Sequence, residues 1–296
     1  MLKCENKNYI VEADIFTLYE SDFYRVIDFK CRCMDCNTSK PEYSASFSIS
    51  FVRKGNFLFN VFRNSLDSYN GCILVTKPGF ERTVTHAHEV PDECSIIEFT
   101  SEFYSLLHEQ FPRNIFFLDN DIHSTLIKAG PELELLHHEV MTNALSGTAQ
   151  RLDMDNLVLD IADAVLHNII PYRREKHITE NLKKFHLVTI ERAKEYMTDN
   201  FVRDISLMEL ATFCHVSPFH FSRIFKSFTG LPPFKFLVSI RLKHAELLLK
   251  NTRLPVSDVA FLSGFNSIEH FTVSFTSKYS IPPARYRDPS LRRSVK

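Results

Sequence analysis

Between Ser217 and Phe228 the chain reads S-P-F-H-F-S-R-I-F-K-S-F, and Phe219, Ser222, Arg223 and Lys226 recur along it at i, i+3, i+4 and i+7. On a helix that spacing puts an aromatic ring, a hydroxyl and two cations on one face. An arginine there can pair two donors with O6 and N7 of guanine, an aromatic ring can pack on a thymine methyl or sugar, and a lysine can neutralise phosphate. The face therefore has the chemistry to read a DNA duplex. The plain alternative for Arg223 is a solvated surface arginine.

A second group of residues has the chemistry of metal binding. Cys31, Cys33 and Cys36 form a C-x-C-x-x-C cluster, and His86, His88 and Cys94 follow at a distance. Thiolates and imidazoles are the preferred ligands of zinc, and Cys31, Cys36, His88 and Cys94 could close a tetrahedral site. The spacing is not that of a standard zinc finger, so ordinary buried or surface thiols fit as well. A redox-sensing thiol pair is a third reading, but the basic surroundings that lower a thiol pKa are missing. His86-Ala-His88 followed by Glu93 also resembles the His-x-His…Glu ligands of metal-dependent cupin enzymes, although the earlier strands offer no matching histidine pair. The chain has no G-x-S-x-G, phosphate-binding glycine loop or H-E-x-x-H. The sequence is therefore read as a non-enzyme.

The elements that must position the DNA-reading face are written around it. Ser217 can cap the first turn, Pro218 suits the first helical position, and Gly230 lies just past the last turn. Phe221, Ile224, Phe225 and Phe228 form the opposite, apolar stripe. Upstream, Asp204-Ile205-Ser206 introduces a short helix over 207–214, with Leu207, Leu210 and Ala211 inward, and His215-Val216 makes the tight connection. A short helix, a tight turn and a capped helix are the parts of a helix-turn-helix. A helix over 186–200 precedes them and a longer one over 235–250 follows.

The unit then recurs. Val259-Ala260 answers Leu210-Ala211, and Ser267, His270, Phe271, Phe275, Pro282 and Pro283 answer Ser217, His220, Phe221, Phe225, Pro232 and Pro233. The offset grows from 49 to 50 across the turn, which has gained one residue. Caps, apolar stripe and terminal Pro-Pro repeating in order indicate a duplicated helix-turn-helix joined by a central helix.

Charge divides the chain in the same place. Residues 1–170 hold 14 Lys+Arg against 25 Asp+Glu, a net of −11, whereas residues 171–296 hold 21 against 11, a net of +10. The basic part is expected to face a polyanion. At 296 residues the chain can bury two cores. No run approaches the roughly 18 apolar residues of a membrane helix, and M-L-K-C-E-N-K-N lacks the apolar core of a secretion signal. A cytoplasmic protein is expected, with no membrane partner. Seven scattered cysteines do not form a secreted disulfide framework.

The acidic part opens with strands. Runs over 23–29, 45–52, 56–62, 71–76, 81–86 and 95–99 are rich in β-branched and aromatic residues. Arg53-Lys54-Gly55-Asn56 and Pro78-Gly79 read as hairpin turns. An antiparallel barrel or sandwich follows. Helices are expected over 101–110, 131–146 and 152–169; Leu133, Leu136, Val140 and Ala144 mark one apolar face, and Leu157, Ile161, Val165 and Asn168 another. The two longer helices could pack on the barrel or pair with a second subunit to give a homodimer. Residues 171–185 read as a charged linker, so the expected divisions are 1–120, 121–170, 171–185 and 186–288, with a basic tail over 289–296.

Residues 186–288 resemble the DNA-binding domain of the AraC/XylS family of bacterial transcription regulators. The likeness is carried by I-S-L-M-E-L-A-T-F-C-H-V-S-P-F-H-F-S-R-I-F-K-S-F-T-G, I-R-L-K-H-A-E-L-L-L and V-S-D-V-A-F-L-S-G-F-N-S-I-E-H-F-T-V-S-F-T-S-K-Y-S-I-P-P-A-R-Y-R. The resemblance implies two helices inserted into successive major-groove segments. The implied contacts are Ser217, Phe219, Ser222, Arg223 and Lys226 in the first helix, and Ser267, Ile268, Glu269, Thr272 and Val273 in the second. Val273 stands where the family often has arginine, and Ser280 where it often has glycine. Glu269 would repel phosphate but could accept from cytosine N4. The first helix is thus expected to read sequence, the second to add shape and backbone contacts. More weakly, residues 1–120 are similar to the family's cupin-like barrel, which implies an effector-binding or oligomerising part. The resemblance names promoter DNA, RNA polymerase and a small-molecule effector as partners.

Overall fold

The computed structural model describes residues 13–32, 38–86, 91–147, 150–169 and 178–288. By internal contacts the chain divides into two units, one of Met1–Ala129 with Glu139–His177, the other of Gly130–His138 with Ile178–Lys296.

The first unit carries two antiparallel sheets. One has the order β1(Ala13–Glu20), β2(Tyr24–Cys31), β9(Glu93–Phe99), β4(Phe47–Lys54), β7(Cys72–Thr76), β10(Ser124–Lys128). The other runs β3(Glu42–Tyr43), β8(Glu81–His86), β5(Asn56–Val61), β6(Asn64–Tyr69). Every residue of β7 is buried, because it is an interior strand covered on both faces. Val26, Ile49, Ile73 and Val75 are fully enclosed, and a cluster of Val52, Phe57, Phe59, Val61, Leu74 and Cys94 joins residues of both sheets.

All six expected strands are present. The sheets are open, however, and do not close into one barrel. The turns at Gly55 and Gly79 both have positive φ, as their sequence signals require, yet neither makes a hairpin. β4 and β5 lie in different sheets, and so do β7 and β8, so these turns are corners at which the chain changes sheet. β10 lies within 121–170, read from sequence as helical, and carries the first sheet past residue 120 by pairing with β7.

Short helices α1(Ser101–Gln110) and α2(Ile115–Leu118) follow the strands, then α3(Pro131–Ser146) and α4(Arg151–Asn168). Leu133, Leu136, Val140 and Ala144 are buried as expected. On α4 the buried face is Met154, Val158, Ile161, Ala162, Val165 and Leu166, rotated from the expected one, and Asn168 is exposed.

The second unit is helical: α5(Glu180–Asp199), α6(Leu207–Phe213), α7(Pro218–Thr229), α8(Pro233–Asn251), α9(Val256–Leu262), α10(Ile268–Tyr279) and α11(Pro283–Tyr286). α5 begins inside the stretch expected to be linker, because the Thr179 hydroxyl caps it by accepting from the Leu182 amide. Among the described residues no helix is long and apolar enough to cross a membrane.

Candidate nucleic-acid interface

The first reading helix is set by its neighbours. Ser206 and Glu209 form a reciprocal capping box on α6. Tyr196 of α5 donates to Glu209 at 2.5 Å, and that bond holds the Glu209 carboxyl below its ordinary range. α6 ends at Cys214, and His215 turns the chain at φ 57, the left-handed region. The Ser217 hydroxyl accepts from the His220 amide, Pro218 opens α7, and Gly230 closes it at φ 77.

These signals fix the helix in phase as well as in length. Phe221, Ile224, Phe225 and Phe228 are buried, each stabilising the fold by about 1.5–3 kcal/mol. The opposite face is left outward: Phe219 is 81% exposed, Arg223 and Lys226 are exposed, and Ser222 is partly covered. Neither Arg223 nor Lys226 has an ion-pair partner among the described residues, so both charges stand available to an anion.

α8 ties the first reading unit to the second. Arg241, 7% exposed, donates through Nε to the Phe201 carbonyl and through Nη2 to the Arg203 carbonyl, both at 2.7 Å. Gly264, in the α9–α10 turn, sits so close that a Cβ would lie 2.6 Å from the Phe201 oxygen and 2.9 Å from Arg241 Nε. Further along α8, Glu246 accepts from Lys243 at 2.8 Å and from Tyr286 of α11 at 2.6 Å, and pairs with Lys250 at 2.9 Å. This buried network holds α11 against α8.

The second reading helix repeats the first in architecture. The Ser267 hydroxyl accepts from the His270 amide, Phe271 and Phe275 are buried, and the closing residue, Ser280, adopts φ 59 without being glycine. The α9–α10 connection is one residue longer than the α6–α7 connection, as the shift in sequence offset requires.

The two outward faces differ. Ile268 is 38% exposed and Val273 69%, while Thr272 is partly covered. Glu269 is engaged, its Oε2 accepting from the Ser267 hydroxyl at 2.7 Å, a bond that also lowers its pKa. The one cation of α10, Lys278, pairs at 2.7 Å with Glu132, which belongs to the same unit. Neither commitment is legible in the sequence: Glu132 lies far off in the chain, and Ser267, read as a cap and an implied DNA contact, also bonds Glu269.

Of the four zinc candidates, Cys31 and Cys94 fall among the described residues. Cys36 and His88 lie outside the described residues. Cys94 is buried, and desolvation pushes its thiol up to about 12, against the deprotonation a metal ligand needs. His86 Nδ1 lies 2.7 Å from Asp92, and its Nε2 is 3.9 Å from Cys31 Sγ. The Asp92 and Cys31 contacts outweigh burial and raise His86 to about 10. Glu93, the carboxylate of the enzyme reading, pairs with Lys54 at 3.2 Å instead. Among the described residues no three His, Cys, Asp or Glu side chains are placed to hold a metal ion.

Comparison with known proteins shows what the paired helices are similar to. A family described as a helix-turn-helix domain matches residues 210–289. The C-terminal domain is of the AraC type. This AraC-type domain is similar to a solved transcriptional regulator of Chromobacterium violaceum, described as containing an AraC-type DNA-binding domain. The two are 26% identical over 37% of this chain and 96% of that one, with a TM-score of 0.33. The chain is 30% identical over 127 residues to the bifunctional transcriptional activator/DNA repair enzyme AdaA of Bacillus subtilis. It is 26% identical over 185 residues to the probable transcriptional regulator LumQ of Photobacterium leiognathi. These alignments take in 43% and 60% of this chain and span 59% and 64% of the two relatives.

Proposed function

We propose that the protein is a sequence-specific transcription regulator that reads two successive major-groove segments of promoter DNA, one with α7 and one with α10. The observation that carries this is the pair of capped helices of one AraC-type domain, the first of which turns Arg223 and Lys226 outward with no ion-pair partner among the described residues. Ser217 and Ser267 sit at the helix N-termini, where amides and the helix dipole favour a phosphate. Phe219, Ser222, Arg223 and Lys226 meet bases and backbone on one segment; Ile268, Glu269 and Thr272 face the other.

The two-sheet unit is assigned the sensing part, in the place of the cupin-like domain the sequence resembles. It would take a small-molecule effector, pair two copies, or both, and RNA polymerase is the expected downstream partner. Work in the cytoplasm follows from that function. A cupin enzyme is not supported, since His86 and Glu93 are held by Asp92 and Lys54.

Selection of bound duplexes from a random pool, followed by gel shifts across a salt series, tests the proposal. An enriched site whose affinity falls steeply with salt is expected. No enrichment, or a flat salt response, would overturn it.

A further inference from the structure

We propose that α10 recognises the C5 methyl groups of thymines in the major groove, with Val273 as the principal contact and Ile268 as the second. This rests on the DNA-reading function proposed above and names what the second helix reads.

Position is the first ground. With matching serine caps and phenylalanine stripes, Val273 occupies on α10 the place that Arg223 occupies on α7. A helix presented to the groove as α7 is brings Val273 to the base edges. It is 69% exposed and adds nothing to the core.

The second ground is what the rest of the face has already spent. Glu269 accepts from Ser267 at 2.7 Å, and Lys278 pairs with Glu132 at 2.7 Å. The bidentate contact to guanine needs an uncommitted arginine or lysine, and among the described residues α10 offers none. The backbone contacts expected of this helix from sequence are left to the Thr272 and Thr276 hydroxyls and to its N-terminal amides. What remains outward is Ile268 on one flank, Val273 on the other, and Thr272 and Thr276 between them, since successive residues step by about 100° around the axis.

Shape is the third. The outward side chains of α7 include phenylalanine, arginine and lysine, long groups that hold a helix away from the groove floor. Thr272, Val273 and Thr276 are short, so α10 can lie closer. The apolar group that the major groove presents at this depth is the thymine methyl, which apolar side chains contact and which cytosine lacks. Burying a valine against it removes apolar surface of both from water. The face is also a poor fit for a protein partner, because threonines interrupt its apolar residues.

The test uses the full chain and the DNA selected from a random pool. Each thymine is replaced in turn by deoxyuridine, which keeps every hydrogen-bonding group and loses only the methyl. Arg223→Ala marks the α7 segment by the guanine at which discrimination is lost. Within the other segment, deoxyuridine is expected to weaken binding about fourfold at each contacted thymine. Val273→Ala is expected to weaken binding to the unmodified site by a similar factor and to erase the deoxyuridine effect at one position. Because Val273 is exposed, the variant keeps its fold, which circular dichroism checks. Full affinity for a site with every thymine replaced would overturn the proposal, as would an undiminished deoxyuridine effect in Val273→Ala; the face would then fall to a protein partner. Failure of any sequence to enrich would instead overturn the DNA-reading function itself.

Discussion

Arg223 and Val273 stand at the same point of twin helices, fifty residues apart, both turned away from the core. One position carries a charged fork with no ion-pair partner among the described residues, the other two methyl groups. Duplication has kept the scaffold, that is the serine caps and the buried phenylalanines, and has let the outward residues diverge. The two halves of the domain therefore present different chemistry on their outward faces.

Arg223→Ala is expected to lose about 1–3 kcal/mol of discrimination at one guanine and to leave the other positions of the site unchanged. Arg223 is exposed and supports nothing in the fold, so thermal unfolding should not shift. Competition gel shifts with single-base variants measure this, and a uniform loss at all positions would show that Arg223 only holds phosphate.

Lys226→Ala should give that uniform loss. A lysine on phosphate carries no sequence information, and removing it releases about one fewer counterion, so the slope of log K against log salt should become shallower by about 0.9. A salt titration of the variant against the parent measures the change.

The domain's reading helices were legible in the sequence because their signals are local. Ser217, Pro218 and Gly230 each mark a helix end by their own backbone chemistry, and the phenylalanine spacing sets the buried face. Tertiary choices were not legible. Gly55 announces a turn because only a residue without a Cβ takes its φ freely, but nothing in Arg53-Lys54-Gly55-Asn56 says whether the next strand pairs with the last one or joins another sheet. β6, N-S-L-D-S-Y, has too little β-branched content to stand out, and β10 is a strand because β7 offers it an edge. α5 starts early because burial of Lys183 beside Glu180 defeats the expectation that a charged run stays in solvent. The state of Glu269 depends on where the Ser267 hydroxyl points, and that of Lys278 on Glu132, far away in the chain.

Acid should weaken the C-terminal domain through Glu246. Burial alone would raise this carboxyl, but its pairs with Lys243 and Lys250 and its hydrogen bonds from Lys243 and Tyr286 hold it down to about 2. A carboxylate depressed in the folded state stabilises it above the unfolded value of about 4.3, and that contribution is lost as pH falls from there through about 2. Urea unfolding followed between pH 5 and pH 2 should show this decline. Glu246→Gln should flatten it and lower stability at neutral pH, since the variant gives up the ion pairs of Glu246 with Lys243 and Lys250.

Gly230 and Gly264 have nearly the same backbone, φ 77 and φ 80, and differ in surroundings. A Cβ at Gly230 meets nothing within 4 Å, so Gly230→Ala is charged only for the left-handed conformation, about 1 kcal/mol. At Gly264 the same atom would lie 2.6 Å from the Phe201 carbonyl and 2.9 Å from Arg241 Nε, the two ends of a buried hydrogen bond. Neither can retreat without breaking the bond that fastens α8 to the chain after α5. Gly264→Ala is therefore expected to cost about 3 kcal/mol or more, the left-handed penalty plus a displaced buried arginine. Urea midpoints of the two variants, at unchanged m, measure the difference. DNA binding sharpens the comparison: Gly230→Ala should bind its site as the parent does, whereas Gly264→Ala, by shifting the turn that aims α10, should lose affinity even under conditions where it is fully folded. Equal stability losses from the two substitutions would mean that the Arg241 contact yields, and that the turn before α10 is held by its own backbone and not by α8.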